Sequence, residues 1–436
     1  MAGSSVKLPN AAPSVISRNL IAPFILLTSC FALWGLANNM TDVLVAQFQK
    51  TFSLSYFESS LVQAAFYGAY FFLALPAALF IQKFSYKAGV LLGLGLFACG
   101  ALLFYPASKT MEYYHFLTAL FVLAGGLSIL ETSANPYVFA MGAHETATQR
   151  LNLAQAFNPL GSITGVVIGK FFILTGLHPA TEVERELMEI EQLIDIQAGE
   201  LLAVMGPYLT VAAVIVIVWV VIALTPMPAS RMDGLRNVSW KASSQRLLSN
   251  VVYRRGVTAQ FFYVGCQIGC WSFTIRYVMS QLGGSEAEAS SYLLGAIVLH
   301  TFCRFLFTAL MSFIEPARLL SLLACAAVVL CVVAVVIEGY PGVWAVVLIS
   351  GCMSIMFPTI FGLSLGSVGE QDVSLGGSGL IMAIFGGAVL TAIMGRVADL
   401  FSVEVAYIVP LLGFAYVLYF ALVSCKTQEA TCGSAA

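Results

Sequence analysis

The sequence predicts an all-α integral membrane protein of twelve transmembrane helices, arranged as two pseudo-symmetric halves of six. Three observations predict it. The chain is 59% hydrophobic and only 10% charged, whereas a soluble domain carries about a quarter charged residues. Its apolar residues fall in runs of roughly 20, each long enough for a hydrocarbon core of about 30 Å. Short strings near residues 125 and 351 match one another, a sign of duplication. In lipid the backbone must satisfy its own hydrogen bonds, so runs of this length become helices. The short alternating segments of a membrane barrel are absent.

The expected spans are 20–43, 57–82, 88–107, 113–141, 147–174 and 201–225 in the first half. In the second they are 252–281, 288–313, 317–338, 342–367, 374–399 and 404–425. The organisation read from them is a tail over 1–19, a half over 20–225, a linker over 226–251, a half over 252–425 and a tail over 426–436. The duplication rests on matches in register. GGLSILE (125–131) aligns with GCMSIMF (351–357) at an offset of 226, and at that offset Gly161 meets Gly387 and Gly169 meets Gly395. YGA (67–69) meets LGA (294–296) at 227. Two such halves are expected to enclose a central cavity with a site near mid-membrane.

Charge sets the orientation. With both termini cytoplasmic, the inner loops hold Lys7, Arg18, Lys83, Lys87, Arg150, the cluster from Arg231 to Arg255, Arg318 and Lys426. The outer loops hold mainly Lys50, Lys109, Arg185 and Arg396, as the excess of basic residues on the cytoplasmic side requires. The acidic segment from Thr175 to Glu200 then faces outward as a solvated loop. No basic tract suggests nucleic acid. The ten cysteines lie almost all in apolar runs; Cys266 and Cys270, four apart, are read as packing residues, with no metal site expected. The amino terminus MAGSSVKLPN lacks the pattern of a cleaved signal, so the first apolar run is expected to stay as a span.

Several polar residues interrupt the apolar runs. LWGLANNMTDVL (33–44) places Asn38, Asn39 and Asp42 on one helix face. A charge at a helix centre costs about 2.5–3.5 kcal/mol on insertion scales, so Asp42 either lines an aqueous path or meets headgroup water at the end of its span. Glu131 lies deep in AGGLSILETSANPYV, with Asn135 one turn on and no base nearby in sequence. Phe357 stands at the matching place in the second half, so packing alone does not demand an acid there. Desolvation disfavours a charged carboxylate, which suits a group that loads and unloads a proton. RLNLAQAFNPLG adds Asn152, Gln155 and Asn158, three apart, as a stripe of amides; they are a cavity wall or interhelical glue. Trp34, Tyr67, Trp271 and Phe357 are candidate aromatic surface. Gln267, Arg276, His300 and Arg304 complete the set. Arg276 is expected to snorkel and Arg304 to cap the cytoplasmic side. His300 is either a relay or a hydrogen-bonded packing residue. Amides, carboxyls and rings with little fixed positive charge suit a neutral, hydroxyl-rich solute.

On the stretches LWGLANNMTD, SYKAGV, LETSANPY, RLNLAQAFN, QIGCWSFTIRY and MSIMFPTIF the chain resembles the L-fucose–proton symporter family of the major facilitator superfamily, over roughly residues 20–425. The resemblance implies the major facilitator fold. It places proton coupling and sugar recognition on Asp42 and Glu131, and sugar contacts on Trp34, Asn39, Gln155 and Asn158. Gln267, His300 and Phe357 are added as substrate-facing candidates. Phe357 and His300 depart from the family, which carries a tyrosine and an aromatic there.

The expected function is therefore proton-coupled import of a neutral monosaccharide, L-fucose or a related hexose, by alternating access. The competing expectation is proton-driven export of a drug or other small solute on the same fold. No catalytic motif or phosphate-binding loop marks an enzyme. No cofactor is expected beyond the co-transported proton. The expected surroundings are the bacterial inner membrane, with a monomeric carrier in the bilayer.

Overall fold

The computed structural model describes residues 14–51, 56–110, 112–168, 171–172, 188–228 and 239–433. Within helices it leaves out the side chains of residues 38, 41–51, 56–60, 63–64, 202–204, 287 and 427–433. The first half runs α1 (Ile21–Thr51), α2 (Tyr56–Lys83), α3 (Tyr86–Thr110), α4 (Tyr113–Ala140), α5 (Ala147–Gln155), α6 (Asn158–Ile168) and α7 (Ile190–Leu224). A short helix, α8 (Trp240–Ser249), lies in the linker. The second half runs α9 (Val251–Leu282), α10 (Glu286–Leu310), α11 (Pro316–Val336), α12 (Tyr340–Met353), α13 (Met356–Gly366), α14 (Val373–Met382), α15 (Gly386–Leu400), α16 (Val403–Ala406) and α17 (Ile408–Gly433).

Among the described residues, ten helical runs are long and apolar enough to cross a membrane. Two further segments make up the twelve spans. One is split into α5 and α6. The other is α9, long enough but diluted by Gln260 and Gln267. Large apolar side chains such as Phe72, Leu322 and Leu412 remain exposed, as a lipid-facing belt requires.

Helix breaks are where the structure departs from the expected continuous spans. The fifth span pauses between α5 and α6, the tenth between α12 and α13, and the eleventh at a 3-10 turn over Ala383–Phe385. Proline accounts for the first two. Pro159 has no N–H to offer the Gln155 carbonyl four residues back, and Pro358 none for that of Ser354. Both carbonyls are left open for another donor. The sixth span also starts earlier than 201. Ile190, Leu193, Ile194 and Leu201 recur at helical spacing, so the end of the acidic segment is helix, not loop. Residues 175–187 of that segment lie outside the described residues.

Packing repeats between the halves. α1 lies on α6, and α9 on α15. Each contact needs a glycine. A Cβ on Gly161 would sit 1.8 Å from the Ala32 carbonyl oxygen, and one on Gly386 would sit 2.1 Å from that of Phe261. The halves meet mainly through α2 with α14 and α5 with α13.

The linker is anchored by α8. Its Leu247 and Ser243 are buried, and Arg246 grips Asp372 with two hydrogen bonds of 2.8 and 2.6 Å. Arg150, counted above among the loop charges, is instead buried. Its guanidinium donates to the carbonyls of Val138, Phe139 and Ala143 at 2.8, 2.5 and 3.2 Å. It thereby closes the carboxy-terminal end of α4, where carbonyls lack helical partners.

Candidate functional site

The amino-terminal half supplies an acid in apolar surroundings. Glu131 is 4% exposed, and its Oε2 has no hydrogen-bond partner among the described residues. One turn on, Asn135 Oδ1 accepts from Gln155 Nε2 at 2.6 Å, while Asn135 Nδ2 is buried without a partner. An acid and an amide with unused hydrogen-bonding capacity in a membrane core are costly unless a ligand or water completes them.

The amides of the fifth span do not form the single stripe that their spacing suggests. The pause at 156–157 re-aims them. Asn152 Nδ2 reaches across to Thr359 Oγ1 in the other half at 3.2 Å. Gln155 turns to Asn135. Asn158, in α6, donates to the Phe31 carbonyl of α1 at 3.3 Å. Asn39 is half-buried and donates to the Gly35 carbonyl of its own helix at 3.1 Å. Trp34 Nε1 donates to the Tyr70 hydroxyl. Asp42 belongs to α1, but its side chain, like that of Asn38, lies outside the described residues.

The carboxy-terminal half supplies rings and a base. His300 is buried, with Nδ1 2.9 Å from the Ser350 carbonyl oxygen. Only an N–H can bond a carbonyl, so Nδ1 is the donor and a neutral ring keeps Nε2 as an acceptor. Trp271 meets the His300 ring edge-on at 5.2 Å and donates to Ser350 Oγ at 3.1 Å. Phe357 is half-buried, stacked on Phe361 at 6.2 Å and edge-on to Tyr263 at 6.4 Å. Gln267 is half-buried on α9. Arg276 is exposed, its guanidinium over the Phe273 ring at 5.4 Å.

Arg304 joins the halves. Its Nε donates to the Ser354 carbonyl and its Nη1 to the Gln155 carbonyl at 3.1 Å. These are the two oxygens that Pro358 and Pro159 leave open. A single buried guanidinium thus completes one helix break in each half. The other cross-half hydrogen bonds among the described residues are Gln149 to Thr308 at 3.3 Å, Asn152 to Thr359, and Ser374 to the Ala78 carbonyl at 3.2 Å. All lie toward the linker end of the bundle, so that end is closed.

Two buried polar residues escaped the sequence reading. Tyr70 is fully buried, and only its contact with Trp34 distinguishes it from a packing tyrosine. Gln260 is fully buried, and neither of its amide atoms has a partner among the described residues. Its position seven residues before Gln267, on the same face of α9, was the available signal.

The Major Facilitator Superfamily model matches residues 25–376. The chain belongs to that superfamily. It is 40% identical over 418 residues to an L-fucose-proton symporter of Haemophilus influenzae, covering 93% of this chain and 97% of that one. It is 40% identical over 420 residues to one of Escherichia coli, covering 95% of each. A glucose/galactose transporter of Brucella abortus is 34% identical over 406 residues, covering 92% of this chain and 93% of its own. Among solved structures, a superfamily transporter in the outward conformation superposes with a TM-score of 0.88 at 40% identity, covering 93% of this chain and 99% of that one. A crystal structure of the Escherichia coli fucose:proton symporter gives 0.87 at 39% identity, with the same coverage. The closed linker end agrees with the outward form.

Proposed function

We propose that this protein is a proton-coupled symporter that imports a neutral monosaccharide, L-fucose or a related hexose, by alternating access. It is a multi-pass membrane carrier, not an enzyme. The observation that carries the reading is Glu131, a buried acid with an unpartnered oxygen beside the Gln155–Asn135 amide pair. Relatives at 40% identity that are named sugar–proton symporters support it.

In this reading Asp42 and Glu131 carry the proton. Trp34, Asn39, Gln155 and Asn158 meet the sugar from one half, and Gln267, His300 and Phe357 from the other. The co-transported proton is the coupling ion, and no cofactor takes part. The carrier is a monomer in the bacterial inner membrane with both termini cytoplasmic. The closed linker end is then the cytoplasmic end. A proton entering through a potential of 100 mV releases about 2.3 kcal/mol. At about 1.4 kcal/mol per tenfold, that supports roughly 40- to 50-fold accumulation with one proton per sugar.

The test is uptake of radiolabelled L-fucose, glucose and galactose into cells expressing the chain, with and without an uncoupler. The expected result is accumulation of at least one sugar, abolished by the uncoupler and competed by its unlabelled form. Absence of sugar uptake together with uncoupler-sensitive efflux of an apolar drug overturns the reading in favour of export.

A further inference from the structure

The side chain best placed to govern Glu131 is Tyr70. It is fully buried in the middle of α2. Its ring is fixed against Phe66, with centroids 5.3 Å apart. Its backbone carbonyl accepts from Ser128 Oγ of α4 at 3.3 Å. That bond registers α2 against α4 one turn before Glu131, on the same face of α4. Tyr70 and Glu131 are close enough to interact electrostatically.

The hydroxyl is constrained from the other side by Trp34. An indole nitrogen can only donate, so the Tyr70 oxygen accepts this bond. The Tyr70 hydrogen must then turn away from the indole. Among the described residues no acceptor is bonded to it. Glu131 Oε2, also buried, likewise has no partner. An unspent donor and an unspent acceptor are thus buried on two helices packed against each other, α2 and α4, where each is costly to leave unmade.

We propose that Tyr70 is the positioning residue of the proton site: its hydroxyl, held as an acceptor by the Trp34 indole, presents its own hydrogen to the Glu131 carboxylate. The bond forms when Glu131 is ionised and competes with its reprotonation. Because Trp34 lies on the sugar-facing helix, displacement of its indole frees the Tyr70 rotor. Sugar occupancy and the proton affinity of Glu131 are then linked through one hydroxyl. The proposal rests on the reading of Glu131 as a proton-carrying group.

Few other groups face that carboxyl. From α2, Tyr70 is the titratable neighbour, with Tyr67 beyond it. From α5 and α4 come the neutral amides Gln155 and Asn135. From α1 comes Trp34, through its bond to Tyr70; the side chain of Asp42 lies outside the described residues. No ion pair reaches Glu131 among the described residues.

The experiment compares wild type, Tyr70→Phe, Glu131→Gln and Trp34→Phe in proteoliposomes, measuring radiolabelled L-fucose uptake and proton entry against external pH. Tyr70→Phe keeps the ring and its packing. Loss of a hydrogen bond to a charged group moves the half-maximal pH of uptake upward by roughly one unit. The shift in Tyr70→Phe/Trp34→Phe equals that of Tyr70→Phe alone, because the indole acts through the hydroxyl. A Tyr70→Phe profile that coincides with wild type, while Glu131→Gln abolishes the pH dependence, overturns this proposal and leaves the proton site standing. A Glu131→Gln profile identical to wild type overturns the proton-site reading itself. Lowered thermal stability in Tyr70→Phe with an unmoved pH profile makes the tyrosine a packing residue and also overturns the proposal.

Discussion

In the first half Gly161 lets α6 close on the Ala32 carbonyl of α1; in the second Gly386 lets α15 close on the Phe261 carbonyl of α9. The halves pause at comparable places in their fifth and eleventh spans. Backbone geometry has been kept through the duplication. The side chains facing the interior have not. Where the first half holds Glu131, the second holds Phe357. Where the first offers an unpartnered carboxyl and amides, the second offers Trp271, a neutral-capable His300 and stacked phenylalanines. The contrast teaches a division of labour. A glycine on each of the equivalent helices α6 and α15 lets its half close on itself, and in the proposed function the asymmetric side chains give the proton to the half that holds Glu131.

The most severe way to break this comparison is to remove the acid. Glu131→Gln should abolish uphill accumulation, a loss of the whole 40- to 50-fold gradient estimated from about 2.3 kcal/mol per 100 mV. Sugar-for-sugar exchange needs no net proton cycle and should survive to a greater extent. Asp42→Asn should show the same split. The measurement is accumulation against exchange in vesicles with and without an imposed pH gradient. If either variant still concentrates sugar, that acid is not a coupling group, and the halves are not divided as described.

The glycines test the symmetric side of the comparison. Gly161→Ala and Gly386→Ala each push a methyl group into a backbone carbonyl of the partner helix. Overpacking of this kind costs about 1–3 kcal/mol. Both variants should therefore lower the melting temperature in detergent by similar amounts. If one is tolerated and the other is not, the two scaffolds are not mechanically equivalent.

Much of this was legible in the sequence because the physics is local. Hydrophobic runs of fixed length, basic residues on alternate loops and a repeat in register specify the fold. Glu131 stood out because an acid in an apolar run has few cheap explanations. What was hidden depends on contacts between helices. The amide spacing of Asn152, Gln155 and Asn158 predicts one face only if the helix is continuous, and the pause before Pro159 splits it. Arg150 reads as a loop cation until α4 is seen to end beneath it. Tyr70 looks like any membrane tyrosine until Trp34 is found donating to it. Arg304 reads as a cap, and only the folded chain shows that it satisfies the two carbonyls freed by Pro159 and Pro358.

That guanidinium supplies the third test, because it is the point where the asymmetric halves are tied together. Its bond to the Gln155 carbonyl spans the two halves at the closed linker end. Losing a hydrogen bond to a charged group costs about 1.5–3 kcal/mol. Arg304→Met should therefore shift the population toward opening at that end by about tenfold or more. Disulfide formation between Gln149→Cys and Thr308→Cys, in a background depleted of native cysteines, reports closure of that end. Cross-linking as efficient in Arg304→Met as in its parent would mean that helix packing alone, through α5 with α13 and α2 with α14, closes the bundle.

The mildest expected effects separate binding from scaffold within the amide group. In the proposed function Gln155 and Asn158 meet the sugar, whereas Asn152 bonds Thr359 across the halves. Each lost hydrogen bond is worth roughly 0.5–1.5 kcal/mol, so Gln155→Ala and Asn158→Ala should each weaken sugar binding about 2- to 12-fold. Asn158→Ala also loses the contact with the Phe31 carbonyl, so its thermal stability should fall modestly beside its affinity. Asn152→Ala should leave intrinsic affinity nearly unchanged and instead ease opening of the linker end. Equilibrium binding of the transported sugar, measured by calorimetry on all three purified variants, checks the ordering. If all three lower melting temperature equally and none changes affinity, the amides are helix glue, and sugar recognition in the first half belongs to Trp34, Asn39 and Glu131.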